Sequence, residues 1–313
     1  MKTKGRILTL NGVSIGIAIL IIGLASCQKD NDILSATDTQ NVNAESASAA
    51  YVNENSNISS NAIGGITSTQ YTGGREEGTP LTLIGLGLRD DRLACATVTI
   101  NTTGTKDAPS GTITIDFGTG CTDPRKVTRS GKMLINYSGK RWMPNSYISL
   151  HLVNFHRNDA AIEGIDSLVT QISNDSLHLQ FQSILTGGKI TFGDGKSITR
   201  EHNLTREWIR SAVSPLYDEW ITLAYSATVG GSNGTANGQT KSGKAYTMNI
   251  TKELVEKMTC LAQKVFIPVS GIKTITVGSE AYAVDYGDGT CDNNVTVTVN
   301  GKAKVIDVTA EGN

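Results

Sequence analysis

Gly271-Ile-Lys-Thr-Ile-Thr-Val-Gly-Ser-Glu-Ala-Tyr-Ala-Val-Asp-Tyr-Gly-Asp-Gly-Thr-Cys291 reads as a β-hairpin. Strand-forming residues flank Gly278-Ser279, a type II′ turn pair. The returning strand runs into Tyr286-Gly-Asp-Gly289, and a cysteine follows at position 291. A degenerate copy lies upstream as Gly111-Thr-Ile-Thr-Ile-Asp-Phe-Gly-Thr-Gly-Cys121. In that copy Ile113, Ile115 and Phe117 share one face, while Thr112, Thr114 and Asp116 share the other. A third aromatic-glycine turn stands at Phe192-Gly-Asp-Gly195.

The same pattern continues outward from these units. Residues 96–101, 132–138, 147–155, 162–172, 177–181, 220–229 and 244–250 read as strands. Val295/Val297/Val299 and Val305/Ile306/Val308 flank Asn300-Gly301, a type I′ turn pair. Pro80 to Arg92 reads as an opening strand or a short helix, with Gly85 and Gly87 weakening the helix. Gly230 to Gly243 reads as a loop, and Thr251 to Met258 as a short helix capped by Thr251. The expected fold is all-β: an antiparallel meander forming a sandwich or barrel, with at most one or two short helices. The β domain is expected over 81–313, with 81–200 and 201–313 as candidate lobes.

Composition agrees. The 313 residues include 33 glycines, 5% aromatics and a net charge of −1, so no basic footprint for nucleic acid is present. The first 26 residues look like an export signal: Lys2, Lys4 and Arg6, then an apolar core over Ile15–Leu24, too short for a confident span. Leu24-Ala-Ser-Cys27 resembles the bacterial lipobox, whose cysteine is acylated with palmitate-type chains and becomes the mature first residue. More than one acyl chain gives stable membrane anchoring. Gln28-Lys-Asp-Asn-Asp32 resembles the export signal of Bacteroidota-type surface lipoproteins. The expected location is the bacterial outer membrane, lipid-anchored and surface-exposed. Removing residues 1–26 leaves 25 basic against 29 acidic residues, a net charge of −4. Residues 27–80 are rich in Ser, Asn, Thr and Ala, and composition predicts a flexible tether.

Besides Cys27 there are Cys95, Cys121, Cys260 and Cys291. Four cysteines in an exported chain suggest two disulfides with three connectivities. The two hairpin copies favour Cys95–Cys121 and Cys260–Cys291, provided that Ser270-Gly271 is a bulge and not a tight turn. No Cys-x-x-Cys spacing points to zinc. The Cys-bounded hairpins, with Val295-Thr-Val-Thr-Val-Asn-Gly301, resemble a group of uncharacterised Bacteroidota-type surface lipoproteins. That resemblance implies an envelope location and a β fold, and carries no activity.

Chemistry-bearing patterns are sparse. Asp285, Asp288 and Asp292 crowd one turn, either as turn-forming carboxylates or as calcium ligands. Gly230-Gly-Ser-Asn-Gly234 matches Gly-x-Ser-x-Gly but lacks the helix a nucleophile elbow needs. His151, His156, His178 and His202 show no metal spacing and read as solvated. Trp142, beside Lys140 and Arg141, is a candidate contact tip, and Trp208 and Trp220 read as core. Asp166-Ser167-Leu168 and Asp175-Ser176-Leu177 resemble an O-glycosylation sequon at Ser167 and Ser176. No catalytic residue, metal site or cofactor is assigned. The expected function is an envelope lipoprotein with a binding or structural role toward an unknown envelope or extracellular partner. The alternatives are a hydrolase of glycans or peptides and a polysaccharide-capture module.

Overall fold

Threonine and isoleucine alternate along β3 (Ser110–Asp116), and the alternation sets which face is buried. Ile113 and Ile115 are buried, while Thr112 is exposed. The same pattern appears on β13 (Ser270–Val277) and β15 (Asn294–Val299), with Ile275, Val277, Val295, Val297 and Val299 buried. Apolar side chains thus face inward and threonines outward, the reverse of the pattern of membrane-spanning barrels. In the computed structural model the described residues are 34–70, 81–84, 90–105, 107–140, 143–172, 179–210, 217–222, 234–261, 263 and 265–308.

The strands form one antiparallel sheet. In order come β1 (Leu81–Ile84), β2 (Thr97–Thr102), β3, β4 (Cys121–Thr122), β5 (Thr128–Ser138), β6 (Tyr147–Arg157), β7 (Ala160–Ile172) and β8 (Leu179–Thr191). Then follow β9 (Ser197–Arg210), β10 (Tyr217–Thr222), β11 (Thr235–Gln239), β12 (Ala245–Lys257), β13, β14 (Glu280–Asp288), β15 and β16 (Lys302–Asp307). Neighbours in sequence are mostly neighbours in the sheet, so the meander is shown. β10 and β11 share the space between β9 and β12. The strands belong to a single hydrogen-bonded sheet, and β9 runs continuously across the lobe boundary expected at residue 200.

What the sheet encloses differs most from the composition-based expectation. Residues 36–70, expected within the tether, form a 35-residue helix, α1 (Ala36–Gln70). It opens with a capping box. Ser35 Oγ accepts from the Asp38 N–H at 3.1 Å, and Asp38 Oδ2 accepts from the Ser35 N–H at 3.0 Å. From Asn41 to Ile63 no residue of α1 is exposed. Its side chains contact β5, β6, β7, β9, β13 and β14, so the sheet curls around the helix. Small residues such as Ala44, Ala47, Ser48, Ser59 and Ala62 let the strands approach its backbone. The helix is polar on every side and still buried, an unusual combination.

Three smaller differences accompany it. The expected helix over Thr251–Met258 belongs to β12, and only Met258–Leu261 forms a helical turn. Thr235–Gln239, inside the expected loop, is β11. The long strand β9 carries no strand-like hydrophobic alternation in its sequence. The expected hairpin turns are present, with Val277 opposite Glu280 and Val299 opposite Lys302.

The disulfides are Cys95–Cys121 and Cys260–Cys291. Each joins a cysteine in or just after a short helical turn that precedes a hairpin, Met258–Leu261 for Cys260 and Asp91–Leu93 for Cys95, to the segment after that hairpin's second strand. The register shifts between Ser270 and Ile272, as a bulge requires. Gly271 sits there at φ +102°, where a Cβ would lie 2.0 Å from the Glu253 carbonyl oxygen, so only glycine fits. The closed loops span 26 and 31 residues, which contributes about 3–4 kcal/mol each in the chain-entropy model. We expect a mature body without Cys27 to show no maleimide-reactive thiol before reduction, and a lower denaturation midpoint after it. Four reactive thiols in the unreduced protein would contradict the pairing.

Candidate functional site

The chemistry-bearing side chains converge on α1. Glu45 is fully enclosed, with Arg200 of β9 at 2.5 Å and Lys273 of β13 on its other oxygen. Burial alone would raise its carboxyl, but the charges of Lys273 and Arg200 more than offset this and hold it at about 2. Nine residues along, Glu54 binds Arg129 of β5 and, at 2.7 Å, Arg157 of β6. Arg129 is buried and also binds Asp123 at 2.7 Å. Burial opposes the Glu54 charge too, and Arg129 and Arg157 again prevail, so its carboxyl lies below the ordinary range. Asn53 accepts from Arg206, and Asn57 accepts from Arg92 at 2.7 Å.

A second cluster combines Ser183, His202 and Asp166, the residue types of a hydrolytic triad. All three are buried, on β8, β9 and β7. His202 therefore departs from the solvated reading, whereas His151 and His156 are exposed. The connectivity is not that of a triad. Asp166 Oδ1 accepts from Ser183 Oγ at 2.7 Å, and the carboxylate does not orient the histidine. His202 Nδ1 accepts from Arg200 Nε at 3.2 Å, so Nε2 carries the proton and donates it to Ser183 Oγ at 2.8 Å. A histidine that donates to the serine cannot take its proton. Burial, then the charges of Arg200 and Arg206, hold His202 well below its ordinary value, so it is neutral near pH 7. The cluster has the composition of a nucleophile site and the wiring of a structural network.

Space reinforces this. The cavity between α1 and β9, β12 and β13, lined by Glu45, Asn53, Arg206 and Tyr286 among others, holds about 40 Å³. The one beside Ser60, Tyr137 and Phe181 holds about 20 Å³. Pockets for small molecules run to roughly 300–1,000 Å³.

The residues singled out by sequence fall elsewhere. Asp285 Oδ1 accepts from the Gly287 N–H at 2.9 Å, Asp288 Oδ1 from Thr290, and Asp292 Oδ1 from the Asn294 N–H at 2.8 Å. Each carboxylate thus braces its own turn. Asp116 does the same for Gly118 at 2.8 Å, which shows that the two hairpin copies share a local mechanism. Among the described residues no group of three or more His, Cys, Asp or Glu side chains could hold a metal ion. Ser167 faces outward on β7 with its Oγ 3.3 Å from the Tyr147 hydroxyl, while Asp166 of the same motif faces inward. Trp208 is half-buried beside Phe181, with ring centroids 5.3 Å apart. Cys27, Trp142, Ser176, His178 and Gly230–Asn233 lie outside the described residues, as does the side chain of Trp220.

Sequence reasoning missed Glu45, Glu54, Arg129, Arg157, Arg200, Lys273 and the Asp166–Ser183–His202 cluster. Only the Ser35-x-x-Asp38 capping box signalled the helix that gathers them. We expect Glu45→Gln to cost about 3–5 kcal/mol at pH 7, because it leaves two cations enclosed with no counter-charge. The Glu45 carboxyl lies at about 2, against 4.5 ordinarily. Its contribution is therefore fully present above pH 4.5 and lost as pH falls toward 2, on the order of 3 kcal/mol. Denaturant titrations at several pH values check both, and an acid loss of the same size in Glu45→Gln would contradict the assignment.

No protein-family model matches this chain, and no curated protein or solved structure matches it.

Proposed function

We propose that this protein is a lipid-anchored outer-membrane lipoprotein whose β body serves a binding or structural role at the bacterial envelope. The observation that carries this reading is the filled interior. The sheet is wrapped on the chain's own helix, and two cavities beside that helix, among the described residues, hold about 20 and 40 Å³. Recognition of a partner then falls to the outer surface and the loops. The Leu24-Ala-Ser-Cys27 tetrapeptide supports the anchor, and the two disulfides fit an oxidising compartment. The outward threonines of β3, β13 and β15 suit a body standing in water beside the membrane. The hydrolase alternative is disfavoured by the wiring of Ser183, His202 and Asp166.

The test is metabolic labelling with a palmitate analogue in a bacterial host that processes lipoproteins. The wild type should be labelled, sediment with outer membranes and be cleaved by protease added to intact cells. Cys27→Ser should lose the label and leave the membrane fraction. A Cys27→Ser protein that stayed in the membrane fraction, or an unlabelled wild type, would overturn the anchor. Full protection of the wild type from added protease would overturn surface display.

A further inference from the structure

The hydrogen bonds around Asp166 outnumber the protons available to make them if the carboxyl is ionised. Ser56 of α1 is buried, and its Oγ lies 2.9 Å from the Val52 carbonyl oxygen, within its own helix. The same Oγ is hydrogen-bonded to Asp166 Oδ2 across the helix–sheet boundary. A serine hydroxyl carries one proton. If Asp166 were ionised, that proton would have to serve two acceptors, the carbonyl and the carboxylate, in a buried place. The other end of the chain supplies no spare proton. Arg200 Nε donates to His202 Nδ1, His202 Nε2 donates to Ser183 Oγ, and Ser183 Oγ donates its only proton to Asp166 Oδ1. Every donor runs in one direction, toward Asp166.

We propose that Asp166 is a neutral carboxylic acid in the folded protein at neutral pH, and that the proton on its Oδ2 latches helix α1 to the sheet by donating to Ser56. The chain then closes without conflict. Arg200 donates to His202, His202 to Ser183, Ser183 to Asp166, Asp166 to Ser56, and Ser56 to the Val52 carbonyl. Each hydroxyl donates once and accepts once, the arrangement in which neighbouring hydrogen bonds polarise one another favourably.

The surroundings agree. Asp166 is 3% exposed, and its ladder partners are Leu150 on β6 and Leu185 on β8, both apolar. The helix presents Ser56 and β8 presents Ser183, neither of them charged. The titratable and charged groups come from β9: His202, neutral for the reasons given above, Arg200, committed to Glu45 and His202, and Arg206, which binds Asn53. Burial pushes the Asp166 carboxyl up, and the Ser56 and Ser183 bonds and the charge of Arg206 offset this only in part. A carboxylic acid in an apolar site can stay protonated at pH 7 and act as a donor.

The sign of the pH dependence follows. The unfolded chain gives up the Asp166 proton near pH 3.8, and burial raises the carboxyl in the folded chain, which on this proposal keeps its proton. The contribution of this group is fully present below that pH and declines by tenfold in the folding constant per unit above it, until the folded acid ionises. The hydrogen bond of the latch therefore persists through acidic and neutral medium and yields in alkaline medium, once the folded acid ionises.

The test compares the intact chain with Asp166→Asn. An amide accepts from Ser183 through Oδ1 and donates to Ser56 through Nδ2, so it copies the neutral acid. The ratio of folding constants, Asp166→Asn over wild type, should rise about a hundredfold between pH 5 and pH 7. His202 is present in both proteins and cancels from that ratio. A ratio that is flat over this range would mean an ionised Asp166 and would overturn the proposal. Infrared spectroscopy keeps the question decidable should the variant fail to fold. Wild-type protein with isotope-labelled aspartate should show the carbonyl stretch of a protonated carboxyl at pH 7, shifting to carboxylate bands in alkali. Absence of that stretch at pH 7 would equally overturn it.

Discussion

A carboxylate taken out of water must find cations at contact distance, and Glu45 finds two, Arg200 and Lys273. The rest of the structure follows from accommodating that residue and its counterpart, Glu54. Nine residues separate them, two and a half helical turns, so they point from opposite sides of α1 about 13.5 Å apart along its axis. One clamps β9 and β13, the other β5 and β6. A flat sheet cannot supply partners on both sides of a helix. The sheet must curl, and the helix becomes the interior that the curled sheet is built on.

Other features then become necessary. The helix needs small side chains, or the strands packed on it could not approach without leaving voids. It needs serines and asparagines, because inward-facing Asp166, Arg206 and Arg92 require partners. The apolar core lies around this polar axis, with Ile113, Ile135, Leu150 and Phe155 contributed by β3, β5 and β6, and Ile250, Ile275, Val284 and Val297 by β12 to β15. The two disulfides tie the segments flanking the β2–β3 and β13–β14 hairpins, one near each end of the strand order, where an open sheet would otherwise fray.

Strands whose inward positions are mostly apolar were legible in the sequence, and the strand that turns several charged or polar groups inward was not. β3 and β15 carry isoleucine or valine at every inward position except Gly111, so their alternation is plain, while β5 and β13 each turn one cation inward, Arg129 and Lys273, among apolar positions enough to be read. β9 puts Arg200, His202 and Arg206 inward, and a search for hydrophobic alternation passes over it. Residues 36–70 failed for the same reason. Reasoning from composition assumes that burial requires apolar surface, and here burial is secured by ion pairs and hydrogen bonds. The cysteine pairing and the turns were readable because they rest on local repeats. The site was not, because its members come from α1, β5, β6, β7, β8, β9 and β13, and no local spacing joins them.

The central claim is that the polar segment near the N-terminus is the core of the fold and not its leash. Hydrogen exchange of the intact chain at neutral pH tests it most directly. The amides of Asn41–Ile63 should exchange as slowly as those of β5 and β9, because every residue of that stretch is buried or half-buried under the curled sheet. Exchange of those amides at the rate of an unstructured peptide, with the sheet still protected, would contradict the account.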